Sequence, residues 1–226
     1  MDFDPQGDLT SSLGWKNSDE MDSTIKDNDA NFAGTVLHHP EGIDVIPSNI
    51  DLSDFETRLV NEFDGENILK NCLAPIKESY DYVLIDCPPS LTMLTINALS
   101  AADEVLIPVQ TQYLPAKGMT KLLRTVSKVQ RKINSNLKIS GVAITLADLK
   151  TNLAKDTIEM IHENFGQHFK VFNSVIPVAV KASEATVSGK SVYSYARDSK
   201  VAVAYDELTK EVIHASKEKR RSDLIR

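Results

Sequence analysis

Two sets of carboxylates are spaced for work on a phosphate-bound cation. In Tyr82-Val83-Leu84-Ile85-Asp86-Cys87-Pro88-Pro89-Ser90, four apolar, β-prone residues run directly into an aspartate. Nucleotide-hydrolysing proteins hold a carboxylate near Mg²⁺ in this way, at a rigid strand end and mostly through water. An apolar run and one Asp also describe an ordinary strand end; the Cys-Pro-Pro-Ser that follows makes the pattern more specific. At the start, Asp2-Phe3-Asp4-Pro5-Gln6-Gly7 sets two carboxylates in i, i+2 register. On an extended backbone they point to the same side and can share a metal or a water. His38, His39, His162 and His168 lack the spacing and companions of a metal centre. Cys72 and Cys87 are too few for a disulfide framework and read as reduced thiols.

The elements that must position these groups alternate. Met1 to about Pro40 reads mostly as loop, Gly42–Asn49 as a short strand closed by Pro47, and 54–63 and 66–78 as helices. Asp81–Asp86 and Glu104–Val109 are apolar strands, Lys117–Ile133 a long amphipathic helix, and Ile139–Leu146 a strand. Helix Leu153–Phe165, strand Lys170–Ile176, an irregular stretch through Lys190 and helix Val201–His214 follow. Strands alternating with helices of this length predict an α/β fold, a mostly parallel sheet flanked by helices, in a single domain over 1–226. Ligands of such sheets lie beyond the carboxyl ends of the strands, where Asp86 falls.

Composition narrows the partners. The 226 residues are 42% hydrophobic and 25% charged, which is globular rather than disordered. No apolar run approaches the roughly 20 residues of a membrane span, so no membrane partner is expected. The net charge of −7 hides a division. Residues 1–110 hold 5 Lys and Arg against 21 Asp and Glu, a formal −16; residues 111–226 hold 20 against 11, a formal +9. Lys117, Lys121, Arg124, Lys128 and Arg131 recur at helical spacing on one stripe, opposite Met119, Leu122, Leu123, Val126, Val129 and Ile133. No acidic residue falls between Glu104 and Asp148. The stripe reads evenly as a solvated face or as a phosphate-contacting surface; any such binding would be non-specific and salt-dependent. Lys217, Lys219, Arg220 and Arg221 form a second basic cluster.

In combination these motifs resemble the ParA/Soj chromosome- and plasmid-partitioning ATPases, of the deviant P-loop class. The resemblance rests on Asp2-Phe3-Asp4-Pro5-Gln6-Gly7, Ile46-Pro47-Ser48-Asn49 and Leu84–Ser90, continued by Leu94–Leu99, Val105–Gln110, Ser183-Glu184-Ala185 and Ala204-Tyr205 with Leu208. It implies a cytoplasmic, nucleoid-associated protein that uses ATP and Mg²⁺ and dimerises around ATP. It further implies non-specific DNA binding, and hydrolysis stimulated by a ParB-like protein. By the resemblance Asp4 positions the attacking water, Asp2 lies near Mg²⁺, Asp86 holds it mostly through water, and Pro177 belongs to the segment over the adenine. Lys181 and Lys200 sit where relatives carry basic, DNA-contacting residues, although Val178 stands where many have Arg. Members that position cell-division machinery often end in a membrane-binding helix, and the tail Leu208–Arg226 is too charged to resemble one.

The family opens with a strand and a Lys-Gly-Gly-x-Gly-Lys-Thr-Thr loop before the Asp-Pro-Gln motif. No Gly-x-x-x-x-Gly-Lys-Ser/Thr occurs in this sequence. That loop supplies the N–H cradle and the lysine for the phosphates. The expectation is therefore an amino-terminally truncated member that binds no cofactor alone and does not hydrolyse ATP. The alternative is a non-catalytic remnant that binds DNA or a full-length relative. The first strand is expected to be central, so its absence should leave unpaired backbone beside the Asp86 run.

Overall fold

The computed structural model describes residues 1–16, 32–111 and 115–224, the side chains of residues 33, 115–117 and 218–224 excepted. The expected loop over 17–31 lies outside them, as do the side chains of Lys117, Lys219, Arg220 and Arg221. The chain divides into two compact units, one of residues 1–103, 122–137 and 186–191, the other of 104–121, 138–185 and 192–226.

In the first unit, Met1–Phe3 is extended and leads through a turn into α1 (Asp8–Ser12). A 3₁₀ turn over Phe32–Gly34 precedes β1 (Leu37–His38), which pairs antiparallel with β2 (Asp44–Val45). The expected strand over 42–49 is thus only two residues long, because Pro47 has no N–H to continue a ladder. Helices α2 (Leu52–Leu59), α3 (Ile68–Lys77) and α4 (Met93–Ala101) close the core. That core gathers Phe3, Phe32, Phe55, Leu59, Leu69, Cys72 and Leu94. Asn97 fastens it: its Oδ1 accepts from Leu69 N at 3.0 Å and its Nδ2 donates to Gly65 O at 2.8 Å.

The expected strand over 81–86 is the main departure. It forms a single parallel bridge, Asp2 with Asp86, and no ladder. Residue preference favoured a strand, but a ladder needs partners on its edges and only Met1–Phe3 pairs with it. Tyr82 and Leu84 are 51% and 80% exposed.

The second unit is built on a three-stranded parallel sheet, β3 (Glu104–Gln110), β4 (Lys138–Ala147) and β5 (Val171–Pro177), in the order β3-β4-β5. Parallel neighbours require crossovers, and α5 (Pro115–Lys132) and α6 (Asn152–Phe165) supply them. Thr151 caps α6, its Oγ1 accepting from Ala154 N at 3.3 Å. Helix α7 (Val180–Val187) occupies part of the stretch expected to be irregular, and α8 (Val192–Ala196) follows it. The last helix, α9 (Lys200–Leu224), runs ten residues past the expected end. Its inner face packs Val201 and Leu208 against Phe172 and Ile176 of β5. Glu211 of α9 caps the edge of β5, accepting from Asn173 N at 3.0 Å and Ser174 N at 2.8 Å. Burial works against it, but the Ser174 hydroxyl, which donates to Oε1 at 2.5 Å, and these two backbone bonds hold its carboxyl below the ordinary glutamate range.

Candidate functional site

The acidic site grows from a backbone turn. Asp2 N donates to Ile46 O at 2.9 Å on one side, and Phe3 N donates to Asp86 O at 2.9 Å on the other. Phe3 is buried in the core, which fixes the alternation: Asp2 and Asp4 turn away from the side Phe3 takes. Asp4-Pro5-Gln6-Gly7 then closes on itself, Gly7 N donating to Asp4 O at 3.0 Å and Gln6 N to Asp4 Oδ1 at 3.0 Å. Gly7 has φ 64°, a left-handed conformation that a side chain would resist, and it starts α1.

Asp2 is 1% exposed, and its carboxylate is fully engaged. Oδ2 accepts from Thr10 N at 2.9 Å and from Thr10 Oγ1 at 2.6 Å, while Oδ1 accepts from Asp4 N at 3.2 Å. Thr10 Oγ1 in turn accepts from Ser48 N at 3.1 Å. One buried hydroxyl therefore ties the Asp-x-Asp-Pro-Gln turn to Ile46-Pro47-Ser48-Asn49. Ser48 Oγ is buried with no hydrogen-bond partner among the described residues. Sequence spacing does not reveal Thr10 or Ser48 as partners, since they lie 38 residues apart. The only hints were the short polar side chains beside the two motifs.

Asp4 is half-buried and Asp86 is exposed. The Asp86 carboxyl is nevertheless pushed up, first by partial burial of the acid group and then by repulsion from Asp2 and Asp4. The three carboxylates thus form one electrostatic neighbourhood. Beside them, burial, then Asp86 and Asp4, push the Cys87 thiol up to about 12, so it is no nucleophile at neutral pH. The histidines go elsewhere: His38 Nδ1 lies 2.6 Å from Asp44 Oδ1, and Tyr80 Oη donates to Asp44 Oδ2 at 2.7 Å.

Pro177, in the second unit, ends β5 and is half-buried, and Val178 N donates to Ala147 O at 3.1 Å. Lys181 Nζ donates to Glu184 Oε2 at 2.8 Å and lies 5.6 Å from the centre of the Tyr195 ring. Lys200 is exposed at the first residue of α9. On α5, Lys121, Arg124, Lys128 and Arg131 are all exposed, opposite the buried Met119, Val126 and Val129. Asn134, just beyond α5, donates from Nδ2 to the carbonyls of Leu99, Ser100 and Ala102 at 2.8–3.0 Å, which fixes that helix end.

With this geometry in view, three comparisons bear on the chain. A family model described as an AAA domain matches residues 1–139. The chromosome-partitioning ATPase Soj of Treponema pallidum is 40% identical over 214 residues, 94% of this chain and 83% of that protein. The sporulation initiation inhibitor protein Soj of Bacillus subtilis is 42% identical over 216 residues, covering 94% and 84%. Among solved structures, cobyrinic acid a,c-diamide synthase of Mycobacterium smegmatis with bound ATP analog and magnesium superposes with a TM-score of 0.79 at 34% identity, over 91% of this chain and 77% of that one.

Proposed function

Because this chain belongs to the ParA/Soj family of partitioning ATPases, we propose that it carries the metal-and-water side of an ATP-gated DNA-segregation cycle. Identity of 40% and 42% over 94% of the chain carries that reading. The similarity to both Soj proteins over 94% of the chain is what supports treating 1–226 as one functional domain.

The donor set fits a cation that keeps most of its own water. Asp86 offers one exposed carboxylate, and among the described residues no group of three His, Cys, Asp or Glu forms a direct cage. Asp86 would hold Mg²⁺ through water. When bound with ATP, the cation supplies charge neutralisation on the phosphates. Asp4 accepts a proton-bearing edge of the attacking water and orients it. Asp2, its oxygens already bonded to Thr10 and the Asp4 N–H, acts as a positioning residue for Asp4. The 226 residues contain no Gly-x-x-x-x-Gly-Lys-Ser/Thr, so by themselves they are expected to bind ATP too weakly to saturate and to turn over none.

Non-specific DNA is the partner we assign to the exposed Lys121, Arg124, Lys128 and Arg131, with Lys117, Lys181 and Lys200 as further candidates. A ParB-like stimulator, an ATP-state homodimer and association with the nucleoid follow from the same reading. Four phosphate contacts imply a roughly 100-fold loss of affinity between 50 and 200 mM salt. Anisotropy with duplexes of unrelated sequence tests this: Lys121→Glu with Arg124→Glu should weaken all of them alike, at least tenfold. Unchanged binding returns the stripe to a solvated face.

A further inference from the structure

The segment Thr186–Ser191 belongs to the first unit, where it meets residues some 150 positions away in the chain. Gly189 presses on Gly14: a Cβ added to Gly189 would stand 2.8 Å from Gly14 Cα, and the two glycines have φ of 62° and 101°. Ser191 N donates to Glu41 Oε1 at 3.0 Å. His39, 8% exposed, has its Nε2 3.4 Å from Gly189 O. Its other ring nitrogen, Nδ1, accepts from Glu41 N at 3.2 Å. The Trp15 ring meets the imidazole in a T-shaped contact, the centroids 5.6 Å apart.

An acceptor at Nδ1 sets the state of the ring. The imidazole is neutral, its hydrogen on Nε2 and aimed at the Gly189 carbonyl. A second proton has to go on Nδ1, where it faces the Glu41 N–H, donor against donor, and puts a charge where little water reaches. The charged groups on the elements around the ring do not offset this. Lys190 in the segment and Lys16 beside Trp15 are exposed cations, and Glu41 Oε1 already accepts from Ser191 N. His38 and Asp44 pair with each other on the exposed side of the hairpin. We propose that Thr186–Ser191 is a histidine-latched strap, closed while His39 is neutral and released when His39 takes a proton. Histidine is the side chain whose charge ordinarily changes between about pH 5 and 8. The strap also bears on the acidic turn. Trp15 N donates to Thr10 O at 3.3 Å and Thr10 holds Asp2, so release loosens that end of the turn. The latch needs neither ATP nor DNA and is read without them.

Amide exchange on the full chain, read residue by residue at pH 8 and pH 5, tests the latch, each rate being taken relative to unstructured chain at the same pH. Glu41 and Ser191 should be protected at pH 8. At pH 5 their protection should fall at least tenfold, and that of Trp15 with them, while Leu69, bonded to Asn97 in the core, keeps its own. Gly189→Ala should lose the protection of Ser191 at both pH values, because its Cβ has no room against Gly14. His39→Gln, which takes no proton, should show the same protection at both. Glu41→Gln keeps an accepting oxygen and should still respond to pH. Equal protection of Ser191 at the two pH values in the unsubstituted chain overturns the proposal. So does a Glu41→Gln chain that no longer responds, since Glu41 would then be the titrating group. A loss shared by Leu69 is unfolding of the unit and overturns it as well. A Trp15 amide that stays protected while Ser191 opens overturns the link to the acidic turn. Should His39→Gln fail to fold, the unsubstituted chain and Glu41→Gln decide the matter without it.

Discussion

Thr10→Val is the sharpest perturbation of the acidic site, because it removes one oxygen and keeps the shape. Thr10 is 0% exposed, and its hydroxyl makes two bonds, to Asp2 Oδ2 at 2.6 Å and from Ser48 N at 3.1 Å. The first is a hydrogen bond to a carboxylate, worth about 1.5–3 kcal/mol. The second leaves a buried N–H unpaired, at a cost of about 1–3 kcal/mol. Asp2 keeps its bonds from Thr10 N and Asp4 N, so the lower halves of these ranges apply and the sum is about 3 kcal/mol. For a chain of this size that corresponds to a fall in melting temperature of about 6–12 °C. Thr10→Ser keeps the hydroxyl and loses only a methyl group, so it should cost about 1 kcal/mol. Thermal unfolding followed by circular dichroism compares the three proteins. If Thr10→Val melts within a degree or two of the unsubstituted chain, or Thr10→Ser falls as far as Thr10→Val, the hydroxyl does not join the two motifs and the reasoning fails.

Other outcomes follow from the same geometry. The Cys87 thiol, pushed up to about 12, should react with a disulfide reagent at pH 8 far more slowly than a free cysteine; labelling at the free-thiol rate would contradict its setting. Asp86 is raised in the folded state, so its charging opposes folding and stability is lost as pH rises through the folded value. Asp86→Asn should therefore stabilise at neutral pH, by up to about 1 kcal/mol after solvent screening, and a lower melting temperature at pH 7 would refute this. Glu211 has the opposite sign: its carboxyl is held down, and its contribution disappears as pH falls through the folded value. Glu211→Gln should cost about 1–2 kcal/mol at pH 7, and the cost should shrink as pH is lowered, as measured by urea unfolding across the acid range.

The elements legible in the sequence are those whose burial is one-sided or complete over a long run. α5, β4, α6 and β5 lie within a residue or two of their expected bounds, since an amphipathic stripe or an apolar strand announces itself. α4 escaped as a helix because Leu94, Thr95, Asn97, Ala98, Leu99 and Ser100 are all buried, leaving no polar face to set a period. α9 extends through Leu224 because its Lys, Glu and Arg tail favours helix without any apolar pattern. Tyr82–Ile85 failed as a strand for a different reason: preference is local, whereas pairing needs neighbours. At the acidic site the carboxylates were readable from motif spacing, but the engagement of Asp2 by Thr10, and of Thr10 by Ser48, exists only in three dimensions.

The role of Asp4 is tested most directly in a chimaera that places a strand and a Lys-Gly-Gly-x-Gly-Lys-Thr-Thr loop ahead of residues 1–226 of this chain. With Mg²⁺ and DNA present it should hydrolyse ATP. Asp4→Ala should then lower turnover at least 100-fold while nucleotide affinity stays within threefold. A chimaera that binds ATP but turns it over equally well with Asp4→Ala would contradict the assignment of this chain as the metal-and-water side of a partitioning ATPase.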